Sequence, residues 1–399
     1  SLPSTTTSLI FNLKSLNKDV PEEFKDVYDA DTYANAQAYT KTRTRFGFIT
    51  STFDLLLLLV FWFSGGFNWL DQCIRSFGFS DLVNGLIFIA GLALAKGIIG
   101  LPFSLYSTFV IEERFGFNQT SLSTFFGDLF KGIFLGLLIG LPVIAIVILF
   151  FEQLGSLAWL YAWIAVTSIS LILQFIAPTW IMPLFNTFEP LEDGELRDDI
   201  HNYADKVDFP LQGVFVMDGS KRSSKSNAFF TGFGKNKRIA LFDTLIENHS
   251  NSELLAVLAH EVGHYKKKHI LKNVVISILH TGVLFYLLSL FMDSQPLFNA
   301  FYMEESSIYA GLIFFGLLYT PVEMILSILM QISSRKHEFE ADAWAAETIS
   351  NPEDMVNVLK GLSRDNLSNL TPHPFYVFLN YSHPPVLQRI KAIRNHDQK

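Results

Sequence analysis

Residues 129–151 read LFKGIFLGLLIGLPVIAIVILFF, an apolar run with one charge, Lys131, near its start. At 1.5 Å of rise per residue such a run extends about 34 Å as a helix, more than the roughly 30 Å hydrocarbon core of a bilayer. Five other stretches have the same character: about Phe48–Phe67, Leu82–Leu105, Leu157–Phe185, Ile270–Met292 and Ile308–Ser333. A single run of this kind fits a buried core helix, but six in one chain do not. Half of the 399 residues are hydrophobic and only 17% are charged, against roughly 25% in soluble domains. The sequence therefore predicts a mainly α, polytopic helical membrane protein with the lipid bilayer as its surroundings. A net charge of −8 argues against nucleic acid as a partner. The single cysteine, Cys73, excludes an intrachain disulfide.

Lysine and arginine set the expected orientation. The segment before the first span carries six of them, residues 186–269 carry eleven and residues 334–399 carry eight. The connection 68–81 holds only Arg75, and 152–156 and 293–307 hold none. With six spans, all basic-rich segments fall on one side, which predicts a cytoplasmic location for them. The expected organisation is a cytoplasmic N-terminal segment (1–47), four spans (48–185), a water-facing segment (186–269), two spans (270–333) and a second water-facing segment (334–399). Residues 1–47 read as mostly polar, with Pro21 and a weakly helical stretch around Asp31–Thr42, and no secretory leader opens the chain. Residues 186–269 predict a helix near Glu195–Lys206 and strands at Val214–Met217, Ala228–Thr231 and Arg238–Phe242, with Gly- and Lys-rich turns between. Residues 334–399 read as helical, broken near Thr371–Pro374 and Ser382–Pro385. Neither water-facing piece is large enough for a good core alone, so the two are expected to build one α+β domain.

The chemistry lies in Leu258-Ala259-His260-Glu261-Val262-Gly263-His264. On a helix, positions four apart share a face, so both imidazoles can reach one metal ion while Glu261 projects beside its open position as a general base. Ser250-Asn251-Ser252-Glu253 looks like a capping box opening that helix. A catalytic zinc site needs a third protein ligand. The best candidate is Glu338, with Asp342 one turn on to accept a hydrogen bond from a ligand imidazole. Glu323, deep in the last span, competes with Glu338 but is remote from His264 by helix arithmetic. Glu340 is expected to point away and be solvated, and His201, His249, His269 and His396 are expected to be surface residues. Both halves of the site hang from adjacent membrane helices, at a depth suited to a substrate with a greasy end and a peptide end. Asp54, Lys96, Gln174, His280 and Glu323 lie inside spans, where polar groups are expensive, so they are expected to face one another or water.

The chain resembles the type I CAAX prenyl proteases, integral-membrane zinc metallopeptidases. The resemblance rests on His260-Glu261-Val262-Gly263-His264 and Glu338-Phe339-Glu340-Ala341-Asp342. It extends to Ser226–Phe230, Lys237–Asp243, Val110–Asn118 and Tyr381-Ser382-His383-Pro384-Pro385, covering nearly the whole chain in order. It implies a helical membrane barrel around a water-filled chamber, capped by a zincin-like domain. It also implies one zinc ion bound by His260, His264 and Glu338, with Glu261 activating water and Asp342 orienting a ligand. By the same resemblance Asn227 and Ala228 lie on an edge strand that pairs with substrate, His383 lies near the metal, and Arg389 belongs to the same pocket. Members of the family have seven spans against the six counted here, and a seventh would precede residue 1. The implied substrate is a peptide or lipidated peptide, and the implied location is a bacterial inner membrane or, in a eukaryote, the endoplasmic reticulum. A membrane-protein quality-control zinc protease and a channel or transporter with structural zinc remain alternatives. The free Glu261 between the histidines speaks against the last.

Overall fold

The computed structural model describes residues 2–17, 19–231, 237–292 and 294–397. Helix α1 covers Leu2–Lys14, α2 Ala30–Phe63, α3 Gly66–Arg75, α4 Asp81–Tyr106, α5 Leu122–Gln153 and α6 Ala158–Ile176. Strand β1 (Phe188–Pro190), α7 (Glu195–Lys206), β2 (Leu211–Met217), β3 (Ala228–Thr231), β4 (Lys237–Phe242), α8 (Asp243–Asn248) and α9 (Asn251–Lys266) follow. The chain then forms α10 (His269–Phe291), α11 (Gln295–Ala300), α12 (Ile308–Thr348), α13 (Pro352–Asp365), α14 (Pro374–Asn380) and α15 (Val386–Asp397). The Gly-rich turn expected between β3 and β4, at residues 232–236, lies outside the described residues.

Among the described residues six helices are long and apolar enough to cross a membrane. In hydrocarbon every backbone polar group must be paired internally, which leaves the helix as the local solution for such runs. Side-chain caps start several of them: Asp29, Ser80, Ser121 and Ser307 each accept from a backbone N–H of the first turn of α2, α4, α5 and α12. Neighbours follow one another in a ring, α4 to α5, α6, α10, α12 and back to α4. Helix α2 lies against α4 through Phe46 and Phe53 on Phe103. Val147, Phe285, Leu288, Phe315 and Tyr319 pack together between α5, α10 and α12. A second cluster with Phe67, Phe88 and Phe314 holds Tyr309, whose hydroxyl binds Asp71, itself bound to Arg75 at 2.8 Å. Most residues of the spans are not buried by the rest of the chain. The polar residues inside the spans face one another. Lys96 lies 3.7 Å from Asp54 and His280 lies 3.0 Å from Glu323. Gln174 joins Thr167, Ser170, Asn273, Ser277 and Thr281 around a cavity of about 430 Å3 between α6 and α10.

At the other end sits a mixed sheet of order β1-β2-β4-β3, in which β2 and β4 are parallel and the outer strands antiparallel. Val214, Ile239 and Leu241 of the sheet pack with Ile200, Leu254, Leu258, Val262, Val356, Ile390 and Ile393 in one core. That core draws on residues from both sides of the α10–α12 hairpin in sequence. Two helices cross the expected segment boundaries without a break. Helix α2 starts at Ala30 because Tyr33, Ala36 and Tyr39 form a buried stripe on this core before the helix enters its apolar part. Helix α12 likewise runs on past residue 333 to Thr348. Polar clamps fix the sheet to the spans. Arg222 makes two bonds, 2.7 and 3.0 Å, to Asp128 of α5, and Glu112 accepts from Lys225 and from Tyr39 at 2.9 and 2.8 Å.

Candidate active site

Helix α9 is fixed at its start by reciprocal bonds. Ser250 Oγ accepts from the Glu253 amide, and Glu253 accepts from the Ser250 amide at 2.9 Å. Its apolar stripe, Leu254, Leu258 and Val262, is buried in the domain core. That stripe turns His260 and His264 towards α12. The close approach of the two helices depends on Gly263, where an added Cβ would meet the Cα and carbonyl oxygen of Ala341 at 3.0 Å. Ala341 lies between Glu338 and Asp342, so the crossing point of the helices is the site itself.

His260 Nε2 and His264 Nε2 are 3.1 Å apart. Glu338 Oε2 lies 3.5 Å from the first and Oε1 3.3 Å from the second, and one ligand atom from each of the three residues lies within 4.8 Å of the others. A tetrahedral zinc ion with bonds of about 2.0–2.1 Å would hold its ligand atoms about 3.3 Å apart, so the three side chains fit one. Glu338 Oε2 is also buried with no hydrogen-bond partner among the described residues, the state expected of an acceptor reserved for a cation. His260 Nδ1 lies 2.9 Å from Asp342 Oδ1. Burial disfavours the charged form of His260, but the carboxylates of Asp342 and Glu338 outweigh it and hold its pKa up at about 9. Arg389 of α15 grips Asp342 with Nε at 2.8 Å and Nη2 at 2.6 Å, and its Nη1 lies 3.6 Å from Glu338. Two of its donors are thus committed to the carboxylate that holds His260. His383, on the turn before α15, is largely exposed and puts Nε2 3.4 Å from Glu338 Oε1. Glu261 is half-buried on α9, and its charge acts on Arg389.

Asn227 and Ala228 stand at the start of β3, the edge strand of the sheet beside α9. The Asn227 carbonyl accepts from Phe242 at 3.1 Å, and Ala228 pairs with Leu241. His260, Glu261, His264, Glu338, Asp342, His383 and Arg389 come together at the crossing of α9 and α12. Glu323 does not join them, being paired with His280.

Three surface expectations are corrected. His269 is buried and bonded to both His264 and Glu340, so Glu340 is not merely solvated. His249 is buried between Glu253 and Asp365 at 3.4 Å from each, under Gly361, whose missing Cβ leaves room for the ring. In each case the burying element arrives from a distant part of the chain, and no local pattern announces it. For His269 the one local signal was its spacing, five residues after His264 and immediately before a span.

A helix bearing two imidazoles around a carboxylate, met by a carboxylate from a helix long enough to cross a membrane, is the arrangement expected of a membrane-embedded metallopeptidase. Residues 10–187 match a family described as the CAAX prenyl protease N-terminal region with five membrane helices, and residues 190–397 match peptidase family M48. A mouse "CAAX prenyl protease 1 homolog" is 35% identical over 95% of this chain and 89% of its own length. The "CAAX prenyl protease 1" of Saccharomyces cerevisiae is 34% identical over 94% and 88%. The crystal structure of S. mikatae Ste24p superposes with a TM-score of 0.92 at 32% identity, over 98% of this chain and 95% of that one. The chain belongs to the CAAX prenyl protease family within peptidase family M48, a family of zinc metallopeptidases.

Proposed function

We propose that this protein cleaves the C-terminal peptide of prenylated proteins at the cytosolic face of its membrane, using one zinc ion held by His260, His264 and Glu338. The observation that carries this reading is the convergence of the two imidazoles and the buried carboxylate at tetrahedral spacing. The names of the relatives support the substrate class. The concentration of lysine and arginine on the side of the sheet supports the cytosolic orientation.

Zinc, when bound, supplies a Lewis acid that polarises the scissile carbonyl and lowers the pKa of water. Glu261 accepts the proton of the attacking water and passes it to the leaving amine. His383, whose Nε2 lies 3.4 Å from Glu338, donates to the carbonyl oxygen as negative charge develops there; removing such a donor typically raises the barrier by about 2.7–4 kcal/mol. Asp342, clamped by Arg389, holds the His260 ring and its tautomer. An extended peptide would add along β3 from Asn227 and Ala228, taking its grip from backbone hydrogen bonds and so tolerating varied side chains.

Purified protein should contain about one zinc per chain and cleave a farnesylated CAAX peptide far faster than its unlipidated counterpart. Chelator should abolish cleavage and zinc restore it. Glu261→Gln should keep its zinc and lose turnover. Equal cleavage of both peptides would remove the prenyl-substrate reading and favour a broader membrane-protein protease. Zinc-free protein with full activity would remove the metal site.

A further inference from the structure

His269 opens α10 directly after Lys268, which adopts the left-handed conformation with φ 59° and ψ 32°. Residues with a Cβ seldom do so. The consequence is a sharp turn between α9 and α10 that folds His269 back onto the last turn of α9. There its side chain is 1% exposed. Its Nδ1 lies 3.1 Å from His264 Nδ1, and its Nε2 lies 2.8 Å from Glu340 Oε2 on α12. The buried His337 ring stacks on it at 4.0 Å and 13°, which fixes the plane of the imidazole.

The hydrogen positions follow from the geometry. His264 faces His260 and Glu338 through Nε2, so a lone pair must stay there for a metal and its proton belongs on Nδ1. That N–H donates to His269 Nδ1. His269 then carries its own proton on Nε2, which donates to the Glu340 carboxylate. The opposite assignment would set a bare Nε2 lone pair against a carboxylate at 2.8 Å, or place a proton on the face of His264 that looks at the ligand set. Only one arrangement satisfies every nitrogen.

We propose that His269 and Glu340 form a relay that fixes the ring orientation and tautomer of His264, doing through an intervening imidazole what Asp342 does directly for His260. This rests on the zinc site proposed above. His269 and Glu340 are positioning residues and touch no substrate.

The test uses the full-length protein in nanodiscs, with zinc affinity read by competition with a chromophoric chelator and ligand geometry by the absorption bands of the cobalt(II)-substituted form. His269→Leu keeps bulk but no hydrogen bond, and should weaken zinc binding about 10- to 100-fold, the usual effect of losing such a partner. It should also shift the cobalt bands and lower kcat with KM unchanged. His269→Asn sets an amide oxygen close to the position of Nδ1 and should recover most of the affinity. Glu340→Gln should lose a few-fold only. Wild-type affinity and cobalt spectrum in folded His269→Leu would overturn the relay, as would an Asn variant no better than Leu. If the Leu variant does not fold, wild-type zinc affinity and cobalt spectrum in Glu340→Gln overturn it. Wild-type protein that takes up no zinc would instead overturn the metal site, and the relay with it.

Discussion

Replacing Gly263 by alanine tests whether the helix crossing builds the site. The new Cβ would sit 3.0 Å from two backbone atoms of Ala341, where ordinary contact begins at 3.4 Å. Backbone of a 41-residue helix cannot rotate away, so α9 and α12 must separate by about 0.4 Å or more between Glu338 and Asp342. Zinc sites tolerate roughly 0.2 Å in their ligand distances, so the displacement is about twice what the ligand set can absorb. Overpacking of this kind costs about 1–3 kcal/mol, equivalent to about 5- to 150-fold in zinc affinity if it falls on the site. Helix propensity works in the opposite direction, favouring alanine by about 0.8–1.0 kcal/mol. The expected signature is therefore weakened zinc binding and slower cleavage with little change in thermal stability. Chelator competition and peptide cleavage measure the first, and thermal unfolding the second. Gly136→Ala, whose Cβ meets nothing within 4 Å, is the control. Wild-type zinc affinity and rate in Gly263→Ala would refute the argument that this contact sets the ligand geometry.

Two further outcomes are expected. Asp342→Asn removes the negative charge that faces His260 and Arg389 and sets an amide NH2 where one carboxylate oxygen accepts, breaking a buried ion pair. Zinc affinity should fall about 10- to 100-fold and stability by about 3–5 kcal/mol, and a variant unchanged in chelator competition and thermal unfolding would contradict the role given to this carboxylate. Glu23 joins the N-terminal segment to α13 and α15 through Lys360 at 2.8 Å and Arg394 at 2.7 Å. Burial raises its pKa, but those two cations outweigh burial and hold it below the usual carboxylate value. A lowered folded-state pKa gives stability that is complete above about pH 4.3, the unfolded value, and lost as pH falls through the folded one. Glu23→Gln should therefore flatten the acid limb of unfolding measured from pH 6 downward, while an identical acid limb would show that the pairing contributes nothing.

The spans were legible because an apolar run in lipid has one local solution, and Leu122–Gln153 takes it whatever its neighbours do. The pattern at His260 and His264 was legible for the same reason: one face of one helix follows from spacing alone. Strand β1 was missed, since three residues ending in Pro190 carry no alternation to read. The start of α2 was legible as a weakly helical stretch, but its unbroken continuation into the first span was not, because its first third is polar overall and is held by laying Tyr33, Ala36 and Tyr39 on a distant core. Amino-acid order by itself thus determined the membrane class, the helices that cross and the residue types able to hold a metal. Tertiary structure alone decided that α12 would press against Gly263, that Arg389 would seize Asp342, and that His269 would be buried behind His264 with Glu340 as its partner. The physical reason is range: helix formation and ligand spacing depend on residues a few positions apart, whereas burial and hydrogen bonding at the crossing depend on surfaces that meet only after the α10–α12 hairpin has folded back through the bilayer.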